Sequence, residues 1–529
     1  MQRRIIACQA GPRRVTRSPI RIPRRAALPF FLLVIGSTGS AAQEEQRTTD
    51  SLLTRARSAA RDSRNAESAK LFRAVLDREP NRARDVLREY ADQLTYSGRA
   101  REAIPLYRQS LGYGTSASDS LPARLGLALA LSRSDQLQEA ESEYERILRL
   151  YPGNVEATKG RARVLVWRGR HRAAQAQLRA LLSREPADRD AALLLAQSQH
   201  WSGRSDRALK TLDGPLAQHP DGRRLLEEIH RSQAAATRLT LEQSRQSDDL
   251  EIAAGVLQHS VPLSGQALAE FRLEQRRFSP RGDPAGDTKV TRPSIYGRRW
   301  IGEALELNIA PGLELITQPG LRDGATTFVY DSWLTIRPAD YLRLDVSSNR
   351  STFDNVRSLQ KRIAQTSGGA SADYLPDELT RLTGRVIGSR FTDGNTRSTF
   401  QVEAERQVIR APHFYVGARG ERIAFERQLD NGYFNPLRYG AVVATGRAWN
   451  EAVAGRAWWN IDGSWGREAV NPGENRPRWS FGAKLTAAPA KRVEVDARYS
   501  YFSSRQLSGE RGAGGFSRGT AGVGARLVW

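Results

Sequence analysis

Four stretches of the chain place ionisable side chains at every second position: Glu270, Arg272 and Glu274; Arg343 and Asp345; Glu403 and Glu405; Glu494, Asp496 and Arg498. In extended backbone, residues two apart share a face. A wet face of mixed sign can exchange hydrogen bonds with a polar solute without holding it tightly. The plainer alternative is a salt-bridge network that only fills space. Catalysis asks for more. A carboxylate pair such as Glu403/Glu405 is the raw material of glycoside hydrolysis, yet two residues on one strand are thin support for it. Of the six histidines, His171, His200, His219 and His230 show no metal-ligand spacing, and His259 and His413 sit in no readable motif. The single cysteine, Cys8, leaves the rest of the chain without a disulfide, a zinc knuckle or a thiol nucleophile. The expectation is therefore a protein that is not an enzyme, with no catalytic residue, no metal and no cofactor. A second set of candidates is aromatic. Gly432, Tyr433, Phe434, Pro436 and Tyr439 belong to one compact segment whose rings could stack on a ligand, or could equally form a turn packed by its own side chains.

Strands have to carry those charges. From residue 237 the hydrophobic period becomes two, as in Ala269-Glu270-Phe271-Arg272-Leu273-Glu274 and Val493-Glu494-Val495-Asp496-Ala497-Arg498. One face is apolar and the other charged, which suits a membrane barrel with lipid outside and a wet lumen inside. Many of these stretches run to 10–15 residues, long for a soluble sandwich strand. Eight of the ten tryptophans (300, 333, 449, 458, 459, 465, 479 and 529) lie here, as an aromatic girdle requires. At the end, Ala521, Val523, Ala525, Leu527 and Trp529 alternate with other residues and resemble an outer-membrane barrel assembly signal. Fifteen candidate strands can be marked. With both termini on the periplasmic side the number must be even, so sixteen is expected and fourteen is the alternative. The longest connection, 354–377, holds Gly368-Gly369 and a possible short helix over Arg357–Gln365. It is either a constriction or an ordered outer loop.

Residues 43–236 follow a different rule. Pro152, Pro186 and Pro220 are spaced by 34, as are Ala140, Ala174 and Ala208, with Ala103 in an earlier unit. Trp167 and Trp201 share the spacing, each followed two residues later by glycine, Gly169 and Gly203. A 34-residue period with these features resembles the tetratricopeptide repeat. About five repeats fit, each a pair of amphipathic helices. Small alanines permit close approach, glycines make the turn and prolines close the second helix. Trp167 and Trp201 read as packing residues. Ahead of the repeats, residues 1–25 hold eight arginines and no acid. An apolar run over 26–35 follows, then Ser40-Ala41-Ala42. That order reads as a cleaved Sec signal peptide spanning 1–42.

The net charge of +23 invites a nucleic-acid reading, and its distribution removes it. Residues 1–42 carry +8; residues 43–236 hold 33 basic against 26 acidic side chains; residues 237–529 hold 40 against 32. No basic block remains to make a nucleic-acid footprint. The predicted architecture is an α+β multidomain chain: signal peptide 1–42, an N-terminal α-helical solenoid 43–236, and a transmembrane antiparallel β-barrel 237–529.

The order signal, tetratricopeptide repeats, barrel resembles bacterial outer-membrane exopolysaccharide exporters. The cellulose synthase operon protein C family and the poly-N-acetylglucosamine exporter are similar in this order. The YaiO-like barrels are also similar. Asn431-Gly432-Tyr433-Phe434-Asn435-Pro436 is similar to a Gly-Tyr-Phe-Ser-Pro segment of the cellulose family, with Asn435 where that family has serine. The resemblance implies a Gram-negative outer-membrane porin for a biofilm glycan, with the repeats in the periplasm. The implied partners are outer-membrane lipid and lipopolysaccharide, the barrel-assembly machinery, the polysaccharide, and periplasmic or inner-membrane glycan synthase components docked on the repeats. It leaves two other readings open: a barrel that only anchors a protein-interaction scaffold, and a barrel enzyme acting on glycan or lipid.

Overall fold

The computed structural model describes residues 38–114, 117–282, 286–302, 304–318, 324–470, 473, 475–504 and 515–529. Residues 1–37, most of the expected signal peptide, lie outside the described residues. The chain divides into two compact units, one ending at Trp201 and the other running from Ser202 to Trp529. This boundary differs from the one expected at 236/237. Arg204 and Asp206, at the start of this second unit, bond to the barrel, as shown below.

The first unit is a run of antiparallel helix pairs: α1 (Thr38–Arg61) with α2 (Asn65–Arg78), α3 (Ala83–Tyr96) with α4 (Ala100–Gly112), α5 (Ala117–Arg133) with α6 (Leu137–Leu150), and α7 (Val155–Trp167) with α8 (His171–Leu182), then α9 (Arg189–Trp201). Ala103, Ala140 and Ala174 are fully buried, as their small size requires. Gly98 and Gly169 turn the chain between paired helices at φ 85° and 73°, in the left-handed region that favours glycine. The packing between neighbouring pairs conserves volume. Tyr107 is buried against Gly126, and Tyr144 against Gly160, where an added Cβ would stand 2.4 and 2.3 Å from the ring carbons. One repeat further on, both partners are of middle size, Leu178 and Leu194, in a single buried cluster. Trp167 departs from its expected packing role. It is 38% exposed, because it is the last residue of α7, where the helix face turns from core to solvent.

The second unit opens with α10 (Ser205–Leu212), α11 (Pro215–Gln218) and α12 (Pro220–Gln233). Ala208 is fully buried. Pro220 does not close a helix as its 34-residue spacing predicts. It opens α12 just after the N-cap residue His219, a position where its missing N–H costs nothing.

Sixteen strands follow: β1 (Ala236–Gln246), β2 (Leu250–Ser264), β3 (Ala267–Pro280), β4 (Thr288–Ile301), β5 (Leu305–Thr317), β6 (Ala325–Ala339), β7 (Leu342–Thr352), β8 (Ala364–Tyr374), β9 (Thr380–Phe391), β10 (Thr396–Arg410), β11 (His413–Phe425), β12 (Tyr439–Val453), β13 (Ala457–Val470), β14 (Arg476–Ala490), β15 (Val493–Ser504) and β16 (Phe516–Val528). Each pairs antiparallel with its neighbours, and β1 closes on β16 from Ala236↔Val528 to Gln246↔Arg518. Closure leaves no strand edge unpaired, the condition for a sheet in lipid. The strand missed by sequence reading is β8, where Gly368-Gly369 were assigned to a loop. The expected helix at 357–365 is shorter, α13 (Val356–Gln360).

The two rims differ. The rim carrying Ala236 and Val528 has tight turns, such as 265–266, 340–341, 411–412 and 491–492. The opposite, distal rim carries the long connections 281–287, 318–324, 353–363, 426–438 and 505–515.

Candidate functional site in the barrel lumen

Exposure alternates along strands such as β3, β5 and β10 and tells the two faces apart. Leu239, Leu241, Phe271, Leu273, Val346, Phe400, Val402, Val495 and Tyr499 are large apolar side chains that remain exposed. They form the lipid face. All ten charged candidates stand at the intervening positions and face the lumen. There they are mostly paired. Arg272 meets Glu274 at 3.1 Å, Arg343 meets Asp345 at 2.9 Å, and Arg447 grips Glu405 through two bonds of 2.8 and 3.1 Å. Glu270 accepts from the Gln258 amide at 2.9 Å. Asp496 is held by Arg238, and Arg498 by Glu242. Glu403 stands opposite Arg419 in the ladder, and Glu494 opposite Arg526.

The centre of this network lies in residues that sequence reading passed over. Glu314 is fully buried and takes Arg276 at 2.7 Å, Arg292 Nε at 2.8 Å and the Thr352 hydroxyl at 2.5 Å. On the other side of the lumen, Glu468 accepts from Tyr439 (3.0 Å) and Ser504 (2.5 Å), while Arg478 meets Glu421 at 3.0 Å. The same alternation would have found Glu314, which stands between Leu313 and Leu315, whereas Glu468 and Glu421 each have an arginine beside them, Arg467 and Arg422, and carry no such signal.

At the distal rim the lumen is crossed. Connection 353–363, which contains α13, leaves the wall between β7 and β8 and turns inward. Val356 and Leu359 bury themselves against Leu250, Ile252, Phe278, Val290 and Ile316, on the inner faces of β2 to β5. Asp354 pairs with Arg276 of β3. The other flank bonds to connection 426–438. Asn355 and Ser358 donate to the Gly432 and Asn431 carbonyls, and Lys361 donates to the Asp430 carbonyl (2.9 Å) and the Asn431 amide oxygen (2.7 Å). Arg357 forks onto the Asp430 carboxylate at 2.5 and 2.6 Å. We call this pair of connections the crossbar. It covers the sector from β2 round to β11.

The aromatic candidates belong to the crossbar, which matches the second of the two readings left open for them, a turn packed by its own side chains. Gly432 adopts φ 86° to make the turn. Tyr433 is buried at 8% exposure, between Phe353 (ring centroids 4.7 Å apart) and Phe391 (5.2 Å). Its hydroxyl donates to Asp393 at 2.8 Å and accepts from Asn395 at 3.2 Å. Burial pushes the Tyr433 hydroxyl up to about 12. Burial also works to raise Asp393, but the Asn395 backbone N–H, the Asn431 amide and the Tyr433 hydroxyl outweigh it and hold the carboxyl below its usual range. Tyr439 is buried too, with Phe434 edge-on to it at 5.8 Å, and the Pro436 carbonyl accepts from the Phe425 N–H. The segment is a turn packed by its own rings and by Phe353, Phe391 and Phe425.

The girdle expectation also needs correction. Trp465, Trp479 and Trp529 are exposed on the lipid face. Trp333 and Trp449 face inward, stacked on Tyr296 (5.9 Å) and His413 (3.8 Å). Trp300 is buried at the near rim beneath the guanidinium groups of Arg204 and Arg337 (5.9 and 4.6 Å). Arg204 also donates to the Gly302 carbonyl (2.6 Å), and its partner Asp206 accepts from Gln266 (3.0 Å). Gly203, at φ 87°, lies so close that an added Cβ would be 3.1 Å from the Trp300 ring. These bonds fasten the segment before α10 to the turns of the barrel.

At the closure, Val523, Ala525, Leu527 and Trp529 face outward. Trp529 Nε1 donates to the Thr237 hydroxyl, itself 2.9 Å from His259.

Among the described residues, free space lies along the opposite wall. A cavity of about 660 Å3 is lined by β13 to β16, among others by Asp462, Ser480, Lys484, Arg498, Ser500, Arg518 and Thr520. A smaller gap of about 220 Å3 separates β16 from the crossbar, between Arg518 and Phe516 on one side and Asn355, Gly432, Tyr433 and Phe434 on the other.

In the first unit, the last residues of α3, α5 and α7 are Tyr96, Arg133 and Trp167. Tyr96 is 53% exposed, and the Arg133 guanidinium lies 5.3 Å from its ring centre. The column is an exposed aromatic and cationic stripe on the solenoid.

The tetratricopeptide repeat family matches residues 91–155, 133–189 and 167–229. Among solved structures, the chain is similar to a bacterial polysaccharide outer membrane secretin, at 11% identity over 56% of this chain and 99% of that one, with a TM-score of 0.44. It is similar to the CymD monoaromatic hydrocarbon channel at 9% identity over 60% and 97% of the two chains, with a TM-score of 0.33. It is similar to YrrB, a tetratricopeptide protein with an unusual peptide-binding site, at 18% identity over 36% and 95%, with a TM-score of 0.28. A search of curated protein sequences returns no match. The chain is a tetratricopeptide-repeat solenoid followed by a closed sixteen-strand transmembrane barrel.

Proposed function

We propose that the barrel is an outer-membrane conduit for an exopolysaccharide, with the repeats recruiting periplasmic protein partners. The carrying observation is the inner wall. Charges, amides and hydroxyls follow one another along the lumen, most of the charges are already neutralised by a neighbour, and a cavity of about 660 Å3 is left beside β13–β16 among the described residues. A lumen of that kind offers a hydroxyl-rich chain many weak hydrogen bonds and no deep trap, as passive conduction needs. The glycan would enter at the rim with the short turns, which in this orientation faces the periplasm. It would leave past the crossbar at the cell surface. Cellulose-like and related biofilm polymers are the class in view, and no bond is made or broken in the process. The stripe of Tyr96, Arg133 and Trp167 supports docking of a protein partner such as a glycan synthase component.

The decisive experiment measures surface polysaccharide in the native host. One strain lacks residues 43–201 and another carries Gly482→Trp, which fills the free sector. Both should lose surface glycan while the barrel still reaches the membrane. Export unchanged in both strains removes the proposal. The crossbar favours one second reading, a plugged barrel that anchors the repeats. Planar-bilayer conductance separates the two, because a plugged anchor passes no current.

A further inference from the structure

We infer that the free sector of the lumen is a binding site for anionic sugars, so that the conducted polymer carries carboxylate or similar negative groups. The inference rests on the export reading and replaces the cellulose-like polymer named there with an acidic one.

The space exists because of residue size. The inner faces of β14 to β16 carry Ser480, Gly482, Ser500, Thr520, Gly522 and Gly524, whereas the opposite wall is filled by Arg276, Glu314, Arg292 and the crossbar. The charges on this wall are not balanced toward the cavity. Lys484, Arg498 and Arg518 line it; Asp462 is the one acid among the described residues that does. The other acids stand behind them. Asp496 has only 2% of its side chain exposed and is held by Arg238, and Glu242 is held by Arg498. Lys484 reaches Asp496 only at 3.9 Å and keeps 41% of its side chain exposed. Arg518 donates to the neutral Ser244 hydroxyl at 3.2 Å. No carboxylate among the described residues lies within ion-pair distance of it. Arg518 also lines the smaller gap beside the crossbar, together with Asp248 and with Asp354, the partner of Arg276. Two cations weakly matched by acids, with Ser480, Ser500 and Thr520 between them, would take a uronate: carboxylate on the guanidinium or ammonium, ring hydroxyls on the side-chain hydroxyls. A neutral glucan would use the hydroxyls and leave both charges unanswered.

The test uses the full chain in planar bilayers, with oligogalacturonate and cellohexaose added as blockers. Oligogalacturonate should block at a concentration at least tenfold lower than cellohexaose, and the pore should favour anions in a KCl gradient. Arg518→Gln with Lys484→Gln should abolish both preferences, and Arg518→Lys with native Lys484 should keep them. Equal or stronger block by cellohexaose, in a cation-selective or neutral pore, overturns the inference and leaves the export reading standing. Block by neither oligosaccharide overturns both. The wild-type comparison decides the matter even if the double variant does not fold.

Discussion

Replacing Tyr433 should release the crossbar, and the size of the effect follows from its surroundings. Its ring is almost fully buried between Phe353 and Phe391, with Phe425 at 6.0 Å, and its hydroxyl bonds Asp393. Truncating a large buried aromatic side chain to alanine costs about 3–5 kcal/mol. The bond lost by the Asp393 carboxylate adds to this, since a hydrogen bond to a charged group contributes roughly 1.5–3 kcal/mol. At about 1.4 kcal/mol per decade, the two together, roughly 4.5–8 kcal/mol, shift the closed-to-open ratio of this flank by about three orders of magnitude or more. The Arg357–Asp430 fork is the contrasting case. Its bonds are short, but Asp430 is 84% exposed, and exposed pairs contribute little. Tyr433→Ala should therefore raise the mean conductance or open probability of single channels in planar bilayers. Tyr433→Phe should do so partly, and Asp430→Ala should leave them unchanged. Val356, Leu359 and Asp354 still hold the other flank, so flickering rather than permanent opening is expected. Wild-type conductance in Tyr433→Ala, with the heat-modifiable gel mobility of a folded barrel, would refute the role given to this ring. A larger effect from Asp430→Ala than from Tyr433→Ala would show that charge rather than packing holds the bar.

Three further outcomes are expected. Acid should loosen the crossbar: because the Asp393 carboxyl is held below its ordinary value of 3.8, its contribution is complete above that value and is lost as pH falls through the lower folded one. Conductance should accordingly rise below about pH 3.8, and a flat profile from pH 7 to 2.5 contradicts this. In the solenoid, Gly160→Ala gains about 1 kcal/mol of helix propensity but drives a Cβ into Tyr144, and overpacking costs about 1–3 kcal/mol. The urea midpoint of the helical circular-dichroism signal should fall in the wild-type background and rise in Tyr144→Leu; the same sign in both backgrounds excludes the clash. Glu314→Leu leaves Arg276 and Arg292 without their shared buried carboxylate, a change that costs about 3–5 kcal/mol in comparable sites, so the barrel should unfold at lower temperature on a heat-modifiability gel.

The faces of the strands were legible in the sequence and the connections between them were not. Alternation alone placed Glu270, Arg343, Glu405 and Asp496 on the inner wall, since a one-residue error would have turned apolar neighbours such as Phe271 or Val402 into the lumen. β8 escaped because Ser367-Gly368-Gly369-Ala370-Ser371 carries small side chains on both faces. With nothing large to alternate, period two has no signal. Tryptophan count misled for a related reason. Trp333 and Trp449 look like girdle residues by type, and only their parity on the strand, opposite to that of Phe328 and Val442, puts them inside.

The crossbar shows where reading a sequence stops and why. Phe353, Phe391, Phe425 and Tyr433 come from four separate places in the chain, and none of them belongs to a local pattern that announces burial. Nothing near Tyr433 in sequence says that its ring will be covered; an exposed sugar-stacking ring and a buried plug ring have the same neighbours. What decides between them is barrel closure, which brings β7, β9 and β11 to one side of a lumen and leaves connections 353–363 and 426–438 facing each other across it. Once they face each other, the chemistry is determined. Asn355, Ser358 and Lys361 supply donors, the turn around Gly432 supplies carbonyls, and three phenylalanine rings supply the apolar cover. The same closure explains why the free path is one-sided. Val356 and Leu359 seal against β2–β5 because those strands carry apolar inner residues at the distal rim. β14–β16 carry glycine, serine and threonine with Arg518 at the same level, and an apolar helix has nothing to bury there. The place of the free sector among the described residues thus follows from which wall the apolar residues of α13 can dry.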